Sequence, residues 1–125
     1  MSEIEVKFEI RNDIILKGIL RTVMAPRTIN RILALLPIVS RLHVWKEEAY
    51  FEIKAQIGPE KATKTVKAGV IAYWPQGDAV CLFFNTMLPI SKVNPIGKLV
   101  HSNYEEILSV IKSGMPVKFL RTSDN

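Results

Sequence analysis

Four aromatic side chains crowd into the stretch AYWPQGDAVCLFFN, residues 72–85. Tyr73 and Trp74 precede a Pro-Gln-Gly turn and Phe83 and Phe84 follow it. A hairpin there puts the two pairs on neighbouring strands. Aromatic faces gathered in this way either wall a binding site or fill a core. Neither use calls for a nucleophile or a metal. Cys81, the single cysteine, lies in the apolar run 79–84 and reads as a buried thiol that packs as a small hydrophobe. One thiol leaves no internal disulfide, and with only His43 and His101 beside it the residues for a zinc site are lacking. No metal and no cofactor is expected, and both histidines read as surface or strand residues.

The formal charge is +5, from 17 basic and 12 acidic residues. The cations are scattered. Lys61, Lys64 and Lys67 share one loop-like stretch, and Arg21, Arg27, Arg31 and Arg41 lie in another region. Neither group is interleaved with aromatics as in single-strand binders, so a solvated face is expected and nucleic acid is an unfavoured partner. The first residues carry no basic start or apolar segment of a secretory signal. No apolar run approaches the ~20 residues a membrane helix needs. The chain therefore reads as cytoplasmic, without a membrane partner, and as a monomer or homodimer.

The elements that must position these side chains follow from periodicity. At 125 residues, with 48% hydrophobic content, the chain is expected to form one domain over 1–125 with its own core. Residues 4–10 alternate strictly, Ile4, Val6, Phe8 and Ile10 against Glu5, Lys7 and Glu9, as a half-buried strand does. Asn12 and Asp13 turn the chain into a second strand at 14–20. Ile29, Ile32, Leu33 and Leu36 then make a helical stripe, with Pro26 at its start and Pro37 at its stop. Strands are expected at 41–45, 49–55, 69–74, 79–84, 96–100 and 117–121. The run 79–84 has no polar alternation and reads as a strand covered on both faces. Phe83 and Phe84 must point opposite ways, one to the core and the other to a helix or pocket. Pro75 and Gly77 fit positions i+1 and i+3 of a type I turn. A second helix is expected from Ser102 to Gly114, with a Ser102/Glu105 capping box and Lys112 in its last turn. Residues 122–125 are expected to fray. Eight short strands in hairpins and two distant helices define a mainly β fold, an antiparallel barrel capped by two helices.

Three motifs carry a resemblance. They are Tyr73-Trp74-Pro75-Gln76-Gly77, Cys81-Leu82-Phe83-Phe84 and Val93-Asn94-Pro95-Ile96-Gly97-Lys98, with the helix and final strand behind them. With the Trp45 to Phe51 segment, they resemble the cyclophilin-like family of small prokaryotic proteins, over about residues 42–121. The resemblance implies a closed eight-stranded cyclophilin-like β-barrel with two helices. Cyclophilins are peptidyl-prolyl cis-trans isomerases whose arginine belongs to a Phe-His-Arg-Ile motif. Tyr50-Phe51-Glu52-Ile53 is the nearest match, and it puts a carboxylate, an acceptor, in the donor's place. The tryptophan and histidine that precede the Gly-Lys strand of cyclophilins are also missing. The expected function is therefore a binding module that takes up a peptide or small ligand in a groove on the barrel. Its candidate residues are Tyr50, Glu52, Tyr73, Trp74, Phe83 and Phe84, and Glu52 favours an amine-bearing ligand. A divergent prolyl isomerase with Arg41 as the replacement donor is the alternative, and a weak nucleic-acid binder the third.

Overall fold

The computed structural model describes residues 3–123 of the chain. The order is β1 (Glu3–Ile10), β2 (Ile14–Arg21), a single 3-10 turn (Thr22–Met24), α1 (Pro26–Leu35), β3 (Ile38–Arg41), β4 (His43–Trp45), β5 (Glu48–Glu52), β6 (Val70–Trp74), β7 (Ala79–Phe83), β8 (Asn94–Leu99), α2 (Tyr104–Val110) and β9 (Pro116–Arg121). The strands form one antiparallel sheet in the order β3-β9-β1-β2-β8-β6-β7-β5-β4. The two end strands are consecutive in the chain, so the sheet curls into a nearly closed barrel.

Among the described residues nine strands stand where eight were expected, because one strand is bent. Pairing begins at Ile38 rather than residue 41 and breaks at Leu42. There the fully buried Leu42 turns its amide to the Met115 carbonyl and its carbonyl to the Gly114 amide, both at 2.8 Å. The half before the bend pairs with β9 and the half after it with β5.

Inside the barrel Phe8 stacks on Phe119 at 4.6 Å between ring centroids, and Phe51 meets both edge-on. The stripe of α1 enters the same core through Ile29 and Ile32, both fully buried. Both Ala25 and Pro26 lack a side-chain acceptor for the first amides of α1. Glu60 supplies one from a distant loop. Its carboxylate accepts from the Thr28 amide at 2.8 Å, the Thr28 hydroxyl at 2.7 Å and the Arg27 amide at 3.1 Å. Asn94, fully buried, locks this cap to the barrel by donating to Thr28 Oγ1 and the Gly58 carbonyl and accepting from the Glu60 amide. Gly97 is required for closure, since a Cβ there would overlap the Ile19 carbonyl oxygen of β2.

Helix α2 starts later than expected. Asn103 is its N-cap and its carbonyl accepts from the Ile107 amide at 3.1 Å. The Ser102/Glu105 box therefore does not form, and Asn103 Nδ2 instead reaches Glu106 at 3.4 Å, one residue further on. The helix ends at Val110, leaving Lys112 beyond it, because Ile111 turns extended while keeping its side chain in the core. At the other terminus Thr122 still bonds the Glu5 carbonyl at 3.0 Å, so the expected fray does not begin there. Residues 124 and 125 lie outside the described residues. No helix among the described residues is long and apolar enough to cross a membrane.

Candidate functional site

The strands β5, β7 and β6 lie side by side and present two faces. Ala49 and Phe51, Val80 and Leu82, and Ile71 and Tyr73 face the barrel interior. Ala72, Cys81 and Phe83 face outward and are nonetheless buried. Two chain excursions cover them, joined by isolated bridges between Thr63 and Val93 and between Val66 and Met87. Val66, Ala72, Cys81, Phe83 and Val93 thus make a second, smaller core on the outside of the barrel. This is the covering implied by the unbroken apolar run of β7, and loops provide it.

The six candidate ligand residues divide between these faces. Phe84 points inward, with its ring 6.1 Å from Tyr104 of α2, and Phe83 belongs to the outer core. Phe84 also borders an open cleft of about 460 Å³ with Glu47, Asn85 and Tyr104. Tyr73 is in the barrel interior and fully buried. Its hydroxyl donates to Asp78 Oδ1 at 2.6 Å and accepts from the Ile57 amide at 3.1 Å. Burial, with the Asp78 carboxylate beside it, pushes the phenol up to about 12. Asp78 also accepts from the Ala55 and Gln56 amides at 2.9 and 3.0 Å. These bonds hold 53–57 in a non-strand path, with Lys54 and Gln56 in the left-handed region, which is why β5 stops at Glu52 rather than residue 55. The turn bond runs from the Asp78 amide to the Pro75 carbonyl at 3.3 Å, so Pro75 is position i and not i+1.

Tyr50, Glu52 and Trp74 remain together on the outer face. Tyr50 and Trp74 meet edge-to-face at 5.6 Å and 85°, and His43 stacks on the far side of Tyr50 at 5.1 Å. Both Tyr50 and Trp74 are half-buried, whereas His43 and Glu52 are exposed. Trp74 folds back over its own turn, where Gly77 leaves room for the indole, and its Nε1 donates to Ser91 Oγ. Ile90 lines a small space with Trp74, and both Ile90 and Leu88 are exposed.

One residue of this face was not singled out from the sequence. Glu48 lies just before the strand expected at 49–55, yet it opens β5 and is only 4% exposed. It alternates with Tyr50 and Glu52, so parity alone would have placed it outward. Pro89, Ile90 and Val93, more than forty positions away, line the small space beside it. Burial pushes its carboxyl up to about 7, against a smaller opposing pull from the Cys81 thiol. Burial likewise pushes the Cys81 thiol well up, and the Glu48 charge adds to it.

Arg41 stands elsewhere. It belongs to β3, and its guanidinium donates to the Gly114 carbonyl at 2.8 Å. No group of three or more metal-ligating side chains is found among the described residues.

A small antiparallel barrel with two helices, carrying a loop-covered aromatic face, defines the class of protein. The chain belongs to the cyclophilin-like family, whose sequence model matches residues 2–119. A hypothetical protein from Archaeoglobus fulgidus, AF2241, shares 29% identity and superposes with a TM-score of 0.81 over 97% of this chain and 96% of its own. McbB, solved in complex with tryptophan, superposes at 0.78 over 96% of this chain and 45% of its own. Its 13% identity makes that likeness one of fold alone. No curated protein matches the chain.

Proposed function

We propose that the chain is a ligand-binding module that takes up a peptide segment or small molecule against the outer face of β5, β7 and β6. The observation that carries this reading is the Tyr50–Trp74 pair, held edge-to-face at 5.6 Å and left half open. A preformed aromatic corner beside exposed Ile90 offers apolar contact area with little ordering cost. Glu52, exposed on the same face, favours a ligand with a positive or donating group. The tryptophan held by McbB is a ligand of that protein, and its size suits an aromatic corner of this kind.

The reading does not require prolyl isomerisation. A donor aimed at the prolyl nitrogen would assist that rotation by weakening amide conjugation. Glu52, at the matching position, only accepts when ionised. Arg41 is engaged at the β3–β4 bend.

The test uses the Trp45→Phe chain, in which Trp74 is the remaining tryptophan. Titration with short proline-containing and aromatic peptides is expected to change Trp74 emission saturably, and Tyr50→Ala to remove the change. A coupled prolyl-isomerase assay on the same peptides is expected to stay at the uncatalysed rate. Acceleration that Arg41→Ala abolishes would replace this reading with a divergent isomerase.

A further inference from the structure

The aromatic corner leaves one group of the same face unused. Glu48 is 4% exposed, and its side-chain neighbour is the Cys81 thiol, a weak donor. No salt bridge among the described residues reaches it. A carboxyl removed from water without a cation is costly to maintain. The space next to it is about 10 Å³, lined by Glu48, Trp74, Cys81, Pro89, Ile90 and Val93, which holds a water at most.

The cover over that space is lightly tied. Met87 exchanges both backbone bonds with Val66, and Val93 does the same with Thr63. Between them, none of the backbone bonds of the described residues falls on 88–92. The strap is held by the side-chain bond from Trp74 to Ser91, and it turns Leu88, 70% exposed, and Ile90, 59% exposed, to solvent. Segments with few bonds and few buried contacts open at low cost. Trp74 is therefore at once a wall of the closed space and the latch of its cover.

We propose that Glu48 is the recognition carboxylate of a site for a small organic amine with an apolar or aromatic body, closed in the free protein by the strap 88–92. The inference rests on the outer face being a binding surface and adds the class of ligand. On entry the amine breaks the Trp74–Ser91 bond and lifts the strap. Its body lies against Trp74 and Val93, and its ammonium donates to the Glu48 carboxylate. Such a charge-assisted bond in a dry site is the strong kind.

A proton signature follows. Burial holds the carboxyl at about 7, so near that pH roughly half the Glu48 side chains carry a proton that an incoming ammonium must displace. The other titratable or charged groups on the strands and covering loops of this side are Cys81 on β7, Tyr50 and Glu52 on β5, His43 on β4, Lys64 and Lys67 on the loop that bears Val66, and Lys92 at the end of the strap. All of them persist in Glu48→Gln, so that variant isolates the Glu48 contribution.

The experiment is calorimetric titration of the full chain with phenethylamine and with its neutral counterpart phenethyl alcohol, in two buffers of different ionisation enthalpy. The amine is expected to bind about tenfold more tightly than the alcohol, the ratio one charge-assisted hydrogen bond supplies. It should release about half a proton near pH 7 and almost none near pH 9. In Glu48→Gln both the preference and the release should vanish, with circular dichroism reporting an intact fold. Equal binding of amine and alcohol, or an amine preference that survives Glu48→Gln, overturns the pairing and leaves the aromatic surface standing. No amine binding, while peptides still change Trp74 emission, also overturns the pairing alone. Silence of Trp74 toward amine, alcohol and peptides overturns both readings.

Discussion

Glu48→Gln is the most informative single change, because it also tests the burial of the side chain without any ligand. The ordinary carboxyl value is 4.5, and burial raises it to about 7 in the folded chain. Between those two values the folded state binds more protons than the unfolded state, so stability falls as pH rises through that window. At about 1.4 kcal/mol for each tenfold change in proton affinity, the full loss comes to about 3 kcal/mol, complete above pH 7. Gln keeps the shape and cannot ionise. Wild type and Glu48→Gln should therefore have similar pH-independent packing, while their stabilities diverge across the window. The assay is urea unfolding of both chains near pH 4.5 and near pH 8.5, read as the difference between the two proteins at each pH, so that other titrating groups cancel. Glu48→Gln should gain on wild type by up to about 3 kcal/mol between the two conditions. A gain below about 0.5 kcal/mol, within the scatter of a surface substitution, would mean that the strap does not exclude water from Glu48.

The cap on α1 has the opposite sign. Hydrogen bonds from Thr28 and Arg27, with the Arg27 charge, hold the Glu60 carboxyl below its ordinary value although its partial burial opposes them. Its contribution is therefore fully present above 4.5 and is lost as pH falls through the lowered folded value. Glu60→Gln should cost about 1 kcal/mol near neutral pH and become harmless in acid, as read by chemical unfolding at the two conditions. Tyr73→Phe removes the hydroxyl between Asp78 and Ile57 and leaves the Ile57 amide without its acceptor, at a cost of about 1–3 kcal/mol. Amide exchange should show residues 53–57 loosening first, and an unchanged exchange pattern would refute the hydroxyl's role as their anchor.

How much of this was readable in the chain turns on which features are local. Strand alternation in 4–10, the stripe of α1 and the unbroken apolar run of β7 depend on neighbouring residues, and the barrel follows from them. The bend at Leu42 does not, because its backbone partners are Gly114 and Met115 just before the neighbouring β9, more than seventy residues away. The cap at Glu60 and the buried Asn94 escape for the same reason, since their partners lie 32 to 66 residues away. The candidate site was legible in part, on the same principle. Aromatic type pointed to Tyr73, Trp74, Phe83 and Phe84 alike, but only the register separates the interior Tyr73 and Phe84 from the outward Trp74 and Phe83.

The outward face then raises a point that type and parity together cannot reach. A barrel normally leaves the outer side of its strands to polar residues. Here two loops fold back over β5, β7 and β6 and turn that side into a second core. An acid in such a place pays for its desolvation, yet Glu48 sits at the start of β5 with no basic side chain among the described residues paired to it. If the loops served packing alone, an apolar residue would fill the position at lower cost and leave no space beside it. The lightly tied strap, the water-sized gap and the half-open Tyr50–Trp74 corner all occur where that acid is. Their coincidence is what a closed binding site requires, and it is the reason to place the proposed binding on the covered outer face rather than in the interior.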